Sequence, residues 1–315
     1  MSAIEVLSPG LLTTVQDLGR EGFGPMGVSP SGAADALALR IGNRLIGNTE
    51  GAPGLEMTLL GGTFQFQGAC VVAMTGSDFG ATLDGDALPP WQSFEVKPGQ
   101  TLRLGPTRSG ARCYLCVQGG IAVQPFLGSA STHLLSGLGG HEGRALRKGD
   151  VLKVGGSDGT SRTGTFACSP KALSHLAPRK VLRVTPGPQN HWFPKPAQKS
   201  FYANTYRVTE EANRMGLRLE GPAIPGGAHG EMISEGVSLG AVQIAASGLP
   251  IILFVEQQTT GGYAKIANVI SVDLHSVGQL RPRDEIRFEL VSFDTARKLL
   301  IELEKLLQTA IGWRW

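Results

Sequence analysis

Short runs of alternating or β-branched residues, each closed by glycine, recur from one end of this chain to the other and limit what it can become. Cys113-Tyr-Leu-Cys-Val117 stops at Gly119 and Gly120, and Thr63-Phe-Gln-Phe66 starts just after Gly61 and Gly62. Apolar runs of four to six residues bounded by glycine are strand signals, because β-branched and aromatic side chains fit a pleated surface and glycine supplies the turns. Gly 44 and Pro 19 make up a fifth of the 315 residues, against a background of about 12% and with no collagen-like period. A helical bundle is excluded. Further strands are expected at residues 4–7, 70–74, 101–104, 151–154, 181–184, 242–244, 251–255 and 285–290.

Helical spacing is clear in two places. Residues 34–45 put Leu37, Ile41 and Leu45 on one face with Asp35 in the first turn, which predicts an amphipathic helix. Residues 295–307 follow Asp294, a favourable N-cap, and read as a terminal helix.

Composition narrows the function classes. Hydrophobic residues are 41% and charged residues 17% of the chain, enough apolar material for a core and no signature of disorder. The net charge of +3 comes without a basic run, so no nucleic-acid partner is expected. The longest apolar run, 249–255, is far short of the roughly 20 residues of a membrane helix, and the first residues lack a basic n-region and an apolar h-region. Neither a membrane nor a secretory route is expected, and the cytoplasm is the expected location. Four cysteines in a chain this long make no disulfide framework. Cys113 and Cys116 lie three apart in an apolar strand, where they point to opposite faces. They read as core residues, and no metal is expected.

A polar glycine/serine stretch, 155–164, divides the chain. The expected organisation is a first β domain over 1–158, a linker over 159–178, a second β domain over 179–292, and a C-terminal helix and tail over 293–315. The two halves resemble each other in order. Ile4-Glu-Val-Leu-Ser-Pro-Gly10 reads like Leu182-Arg-Val-Thr-Pro-Gly187, Gly54-Leu-Glu-Met57 like His229-Gly-Glu-Met232, and Gly119-Gly120 like Gly261-Gly262. The stretch from Arg147 to Lys153 likewise reads like that from Arg281 to Arg287. Two copies of one antiparallel, barrel-like unit account for this, closure being the way an all-β unit removes its edges.

No G-x-G-x-x-G opens a helix, no Gly-Lys dipeptide and no H-E-x-x-H occurs, so dinucleotide, P-loop and zincin chemistry are excluded. Candidate sites are loops dense in small, hydroxyl and amide residues. One is Thr13-Thr-Val-Gln-Asp-Leu-Gly-Arg20 with the stretch around Ser31, where Asp17 and Ser31 stand out; such loops present N–H groups to anions, and equally serve as plain turns. A second holds Arg214 and Gly216 with Glu231 and Glu235. Leu60 stands in the first copy where Glu235 stands in the second, so only one copy carries this carboxylate; a rim charge is the alternative. The third, Gln258-Thr259-Thr260-Gly261-Gly262-Tyr263-Ala264-Lys265, follows an apolar strand. Its glycines can take positive φ or let the backbone approach a ligand, its hydroxyls can hydrogen-bond, and Lys265 offers a mobile cation for a phosphate or carboxylate. An anion site facing Arg214 and Glu235 is expected here, with a plain hairpin loop as the alternative.

These residues carry a resemblance. Leu12-Thr-Thr-Val-Gln-Asp-Leu-Gly-Arg20, Pro186-Gly-Pro-Gln189, Arg214-Met-Gly-Leu-Arg-Leu-Glu-Gly221 and Gln258-Thr-Thr-Gly-Gly-Tyr263 are similar to motifs of the family of 5-oxoprolinase C subunits (PxpC), KipA-type proteins and allophanate hydrolase subunit 2, the biotin-dependent carboxyltransferase A/B-domain family. Glu256-Gln257 stand where that family has Asp-Arg, and Ala264 where it has proline. The resemblance implies a mainly β fold of two tandem cyclophilin-like β-barrel domains with few short helices. It implies one component of an ATP-dependent 5-oxoprolinase-type amidohydrolase, opening 5-oxoproline to glutamate and active only in complex with KipI-like and LamB/YcsF-like subunits. ATP would be bound with the partner subunit. Glu235, Lys265 and Tyr263 are the expected catalytic residues; Arg214, Gln258, Thr259, Thr260, Gly261, Gly262, Gln189, Ser31 and Asp17 are expected to bind a lactam or amide substrate. The alternatives are a urea/allophanate-type carboxyltransferase component using carboxybiotin, delivered on another chain because no Met-Lys-Met acceptor motif is present, and a KipA-like regulator that binds a kinase inhibitor without turnover.

Overall fold

The computed structural model describes residues 2–156, 164–227 and 232–313. The fold is mainly β, and the chain divides into two compact units. The first comprises Met1–Arg20, Ser31–Ala177 and Lys305–Trp315; the second comprises Glu21–Pro30 and Pro178–Glu304.

The first unit contains β1 (Ala3–Ser8), β2 (Leu12–Gln16), helix α1 (Ala36–Leu45), β3 (Gly54–Thr58), β4 (Thr63–Phe66), β5 (Cys70–Gly76), β6 (Thr82–Leu83), β7 (Asp86–Ala87), β8 (Gln92–Val96), β9 (Thr101–Arg103), β10 (Arg112–Val117), β11 (Val151–Lys153), β12 (Phe166–Cys168) and helix α2 (Pro170–Leu176). Six strands form one sheet in the order β11-β1-β4-β9-β6-β7. A seven-stranded sheet runs β2-β3-β10-β5-β8-β12 and ends on the C-terminal strand Ile311–Trp313. Ile4, Val6, Phe64, Phe66, Leu102 and Leu115 are buried in one apolar cluster, as the alternating pattern requires.

Strand β10 is buried at all six positions, because α1 covers the face turned away from that cluster. Gly42 makes this approach possible: a Cβ there would come within 2.6 Å of Cys116 Sγ and 2.9 Å of Thr75 Oγ1. Asp35 accepts from Ala38 N at 2.9 Å and caps the helix. Cys113 and Cys116 are free, buried thiols; burial pushes that of Cys113 up to about 12 and that of Cys116 further. Residues 164–178, within the stretch read as linker, carry β12 and α2, where buried Phe166 and Cys168 add a strand to the sheet. Residues 157–163 lie outside the described ones.

The second unit contains β13 (Val181–Pro186), α3 (Lys195–Ala203), β14 (Tyr206–Val208), β15 (Gly216–Glu220), β16 (Glu235–Gly236), β17 (Ala241–Ile244), β18 (Pro250–Leu253), β19 (Thr260–Gly261), β20 (Lys265–Val269), α4 (Leu274–Gly278) and β21 (Glu285–Leu290). Helix α5 (Phe293–Gln308) follows. Seven strands close into a barrel, β13-β20-β17-β18-β15-β14-β21, and β16 pairs with β19 as a separate two-stranded ribbon. Phe201 of α3 stacks on Phe288 of β21 with ring centroids 4.5 Å apart, closing one side of the core. Asp273 is fully buried and accepts from Arg183 N at 2.8 Å and Arg183 Nη2 at 2.5 Å.

The sequence repeat matches β11 with β21, and each flanks the first strand of its unit. Their directions differ, however: β11 runs antiparallel to β1, and β21 parallel to β13. The parallel pairing closes the second unit's barrel. Among the described residues no helix is long and apolar enough to cross a membrane.

Candidate functional site

The short ribbon β16–β19 and the barrel strands β17 and β20 meet in the second unit around Lys265. Lys265 opens β20, and its side chain is only 3% exposed, where the sequence suggested a mobile one. Its Nζ lies 2.6 Å from Glu235 Oε1. The Glu235 side chain is 44% exposed and stands opposite Gly261 in the ribbon. A buried cation is thus neutralised by a carboxylate reaching in from the surface.

Gln189 fixes this pair from behind. Its Oε1 accepts from Lys265 N at 3.2 Å, which leaves its Nε2 to donate to Glu235 Oε1 at 2.8 Å. Gln189 N in turn donates to Lys265 O at 3.2 Å. Lys265 Nζ first and Gln189 Nε2 second hold the Glu235 carboxyl below the usual carboxylate range. Glu235 is therefore ionised at neutral pH and, while paired, is a weak base.

The site has donors to spare. An ammonium carries three N–H groups, and beyond Glu235 no described residue offers Lys265 Nζ an acceptor in hydrogen-bonding geometry. Gln243 lies across from Lys265 in the β17–β20 register, is 1% exposed, and leaves Nε2 without an acceptor. A buried unpaired donor costs roughly 1–3 kcal/mol, so these two, on residues paired across β17 and β20, mark a place where a further acceptor would be favourable. The glycine of β19 leaves room for this amide: a Cβ on Gly261 would come within 2.6 Å of Gln243 Nε2 and 2.9 Å of Gln258 Nε2. Neither Gly261 nor Gly262 adopts positive φ; what the loop needs at Gly261 is space.

The other expected residues fall into three groups. Gln258 and Thr260 are exposed and Thr259 is half-buried; the Thr259 carbonyl accepts from Val237 N at 3.2 Å and Thr260 pairs with Gly236, so the loop is tied to β16. Gly262 and Tyr263 turn to an open groove of about 890 Å³, walled also by Ile224, Pro225, Ala245 and Ser247. Arg214 is buried and ion-paired with buried Glu256, a partner the sequence registered only as a departure from the family motif. Glu231 lies outside the described residues.

Asp17 and Ser31 belong to the first unit. Asp17 accepts from Gly19 N at 2.8 Å, Ser129 Oγ at 2.6 Å, Ser131 Oγ at 2.5 Å and Ala130 N at 2.6 Å. Ser31 donates to Thr132 O at 2.8 Å. Apart from the local bond to Gly19 N, these side chains join the loops around Asp17 and Ser31 to residues 129–132 of the same unit, a structural use of their hydrogen bonds. Sequence reasoning missed Gln243, whose only signal was one amide between Val242 and Ile244. Ser29, in the candidate stretch around Ser31, belongs to the second unit and donates to Val255 O at 3.1 Å, just before the site loop, a partner the sequence did not indicate. No group of three or more acidic, His or Cys side chains among the described residues could hold a metal.

Two β units on one chain, the second a closed barrel, place the fold with carboxyltransferase-type A/B domains. Residues 26–290 match the family model for the carboxyltransferase domain, subdomain A and B, and the chain belongs to this family. It is 37% identical to the 5-oxoprolinase C subunit of Escherichia coli (strain K12), over 99% of this chain and 98% of that protein. It is 38% identical to the 5-oxoprolinase C subunit of Haemophilus influenzae, over 94% of each. Among solved structures, the Kluyveromyces lactis urea carboxylase superposes with a TM-score of 0.88 at 33% identity, covering 98% of this chain and 29% of that one.

Proposed function

We propose that this chain is the C subunit of an ATP-dependent 5-oxoprolinase, a cytoplasmic hydrolase complex that opens a lactam to the amino acid and is completed by KipI-like and LamB/YcsF-like subunits. The observation that carries the reading is 37–38% identity, over nearly the full length, to two 5-oxoprolinase C subunits. The spare donors of Lys265 and Gln243 fit it, since the substrate is a small carboxylate with a ring carbonyl.

The same donors test what this chain can hold. Two donors on residues paired across β17 and β20 suit one carboxylate or one phosphoryl group and are too few for a triphosphate, so we assign the nucleotide to the partner subunit. When bound there, ATP supplies the phosphoryl group that activates the lactam. This chain's residues bind and orient the substrate: Lys265 and Gln243 hold negative charge, Gln189 keeps Glu235 beside them, and Tyr263 and Gly262 border the groove. Donors fixed in place by the barrel need no reorganisation as charge develops.

The test is ATP hydrolysis dependent on 5-oxoproline, measured on the co-expressed assembly of all three subunits and on the isolated chain. Turnover by the complex alone is expected; full turnover by the isolated chain overturns the proposed dependence on partners. The likeness to urea carboxylase supports a second reading, a carboxyltransferase component for a small amide with carboxybiotin on another chain. Carboxyl transfer to urea, with no response to 5-oxoproline, would decide for it.

A further inference from the structure

The asymmetry of the Glu235–Lys265 pair is the unusual feature of the site. The cation is buried with its strand in the barrel, whereas the anion comes from an exposed two-residue strand, with Ile233 nearby 88% exposed. The ribbon carrying Glu235 is held by its pairing with β19, by Val237 N to Thr259 O at 3.2 Å, and by Gln257 Nε2 to Val237 O at 3.2 Å. Withdrawing Glu235 alone would leave Lys265 charged and unpaired in a buried place, which is strongly unfavourable. Glu235 can leave only if another anion takes its place. Across the register from Lys265, and close under Gly261, the partner of Glu235 in the ribbon, stands Gln243 Nε2, buried and without an acceptor among the described residues.

We infer that Glu235 is a resident stand-in for a ligand carboxylate: a small carboxylic acid displaces it from Lys265 and is held there jointly by Lys265 Nζ and Gln243 Nε2. The ligand class is a carboxylate small enough to sit beneath Gly261, and the choice of 5-oxoproline as probe rests on the function proposed above. Exchange keeps the buried ammonium neutralised throughout and satisfies the amide only in the bound state. It also leaves Glu235 unpaired beside the ligand, still tethered by Gln189 Nε2. Glu235 thus competes with the ligand for Lys265, the opposite of a residue that binds it.

This difference in sign is the test. The full-length chain is titrated with 5-oxoproline and with acetate by calorimetry, as wild type, Glu235→Gln and Gln243→Met. Removing the internal competitor should tighten carboxylate binding at least tenfold, and Gln243→Met should weaken it about tenfold. In the wild type, a ¹³C label on the Glu235 carboxyl should move on saturation to the shift of an unpaired glutamate, a readout that needs no variant at Gln243. Absence of binding, or unchanged or weaker binding by Glu235→Gln, overturns the inference. Equal affinity for inorganic phosphate and for both carboxylates also overturns it, leaving a general anion site. A complex that turns over 5-oxoproline while the Glu235 signal stays fixed refutes the exchange and spares the function; exchange with acetate in a complex inert toward 5-oxoproline does the reverse.

Discussion

Arg214 and Glu256 form an ion pair in which both side chains are buried, and the Glu256 N–H donates to the Arg214 carbonyl at 2.8 Å. The pair ties the turn before β15 to the turn that leads from β18 into the site loop. Taking one charge from a buried pair leaves the other without this compensation, at a cost of about 3–5 kcal/mol. Glu256→Gln should therefore lower the thermal midpoint markedly. The double variant Arg214→Met with Glu256→Leu should recover most of the loss. Thermal unfolding of the three proteins checks it; a neutral Glu256→Gln would show that the pair holds nothing in place.

Much of the fold was legible because strands and helices leave periodic traces. The helix from Ala36 to Leu45 follows from Leu37, Ile41 and Leu45, and its cap from Asp35. The terminal helix starts earlier than expected, at Phe293, because Ser292 Oγ rather than Asp294 accepts from Thr295 N at 3.1 Å. Helix α3 leaves little trace in the sequence, because only Ala197 and Phe201 of its nine residues are buried and no apolar stripe at helical spacing results. The site was less legible, because burial is not written in a residue's identity. Lys265 reads as a surface cation until the barrel closes over it, and Gln243 reads as an ordinary strand residue until its amide proves to have no acceptor. Partners were hidden for the same reason, since Arg214 and Glu256 lie 42 positions apart.

Asp17 should matter for folding rather than for ligand. Its carboxylate accepts four hydrogen bonds, three of which stitch residues 129–131 to the end of β2 while the fourth, from Gly19 N, closes the local turn. Asp17→Ala strands several buried donors at roughly 1–3 kcal/mol each. We expect a clear fall in thermal midpoint with 5-oxoproline affinity retained in the protein that stays folded. Lost affinity at unchanged stability would return Asp17 to the binding site.

Acid should break the Glu235–Lys265 pair late. The folded-state pKa of Glu235 lies below its unfolded value of about 4.5, so its contribution to stability is complete above that value and disappears as pH falls through the lower folded pKa. Because the carboxylate is substantially exposed, the contribution is small. A ¹³C titration of the Glu235 carboxyl should show a midpoint below that of an ordinary glutamate, and Gln189→Met should raise it. A midpoint unmoved by Gln189→Met would remove Gln189 from the site.

Turnover should separate from stability at Glu235. Glu235→Gln keeps the shape and leaves a group that cannot take a proton, so the assembled complex should lose at least tenfold in kcat, about 1.4 kcal/mol in barrier. KM should not rise, because the internal competitor is gone. A raised KM with unchanged kcat would make Glu235 a binding residue instead.

Gly261 offers a way to disturb the spare amide without touching a polar side chain. Its backbone is not in the left-handed region, so alanine is sterically acceptable to the main chain itself. The obstacle is what the new Cβ meets: Gln243 Nε2 at 2.6 Å, Gln258 Nε2 at 2.9 Å and Val237 Cγ1 at 3.2 Å. The first two are ends of flexible side chains. Gln258 is exposed and can move aside, but Gln243 is enclosed and can yield only by shifting its buried amide. Gly261→Ala should therefore fold with nearly the wild-type thermal midpoint and keep the β16–β19 pairing, while carboxylate binding weakens about as much as in Gln243→Met. Combining the two substitutions should add little, since both act through one amide. Calorimetry on the single and double variants measures that coupling. Fully additive losses would mean that Gly261 and Gln243 serve the ligand separately, and that the close approach at the ribbon is packing alone.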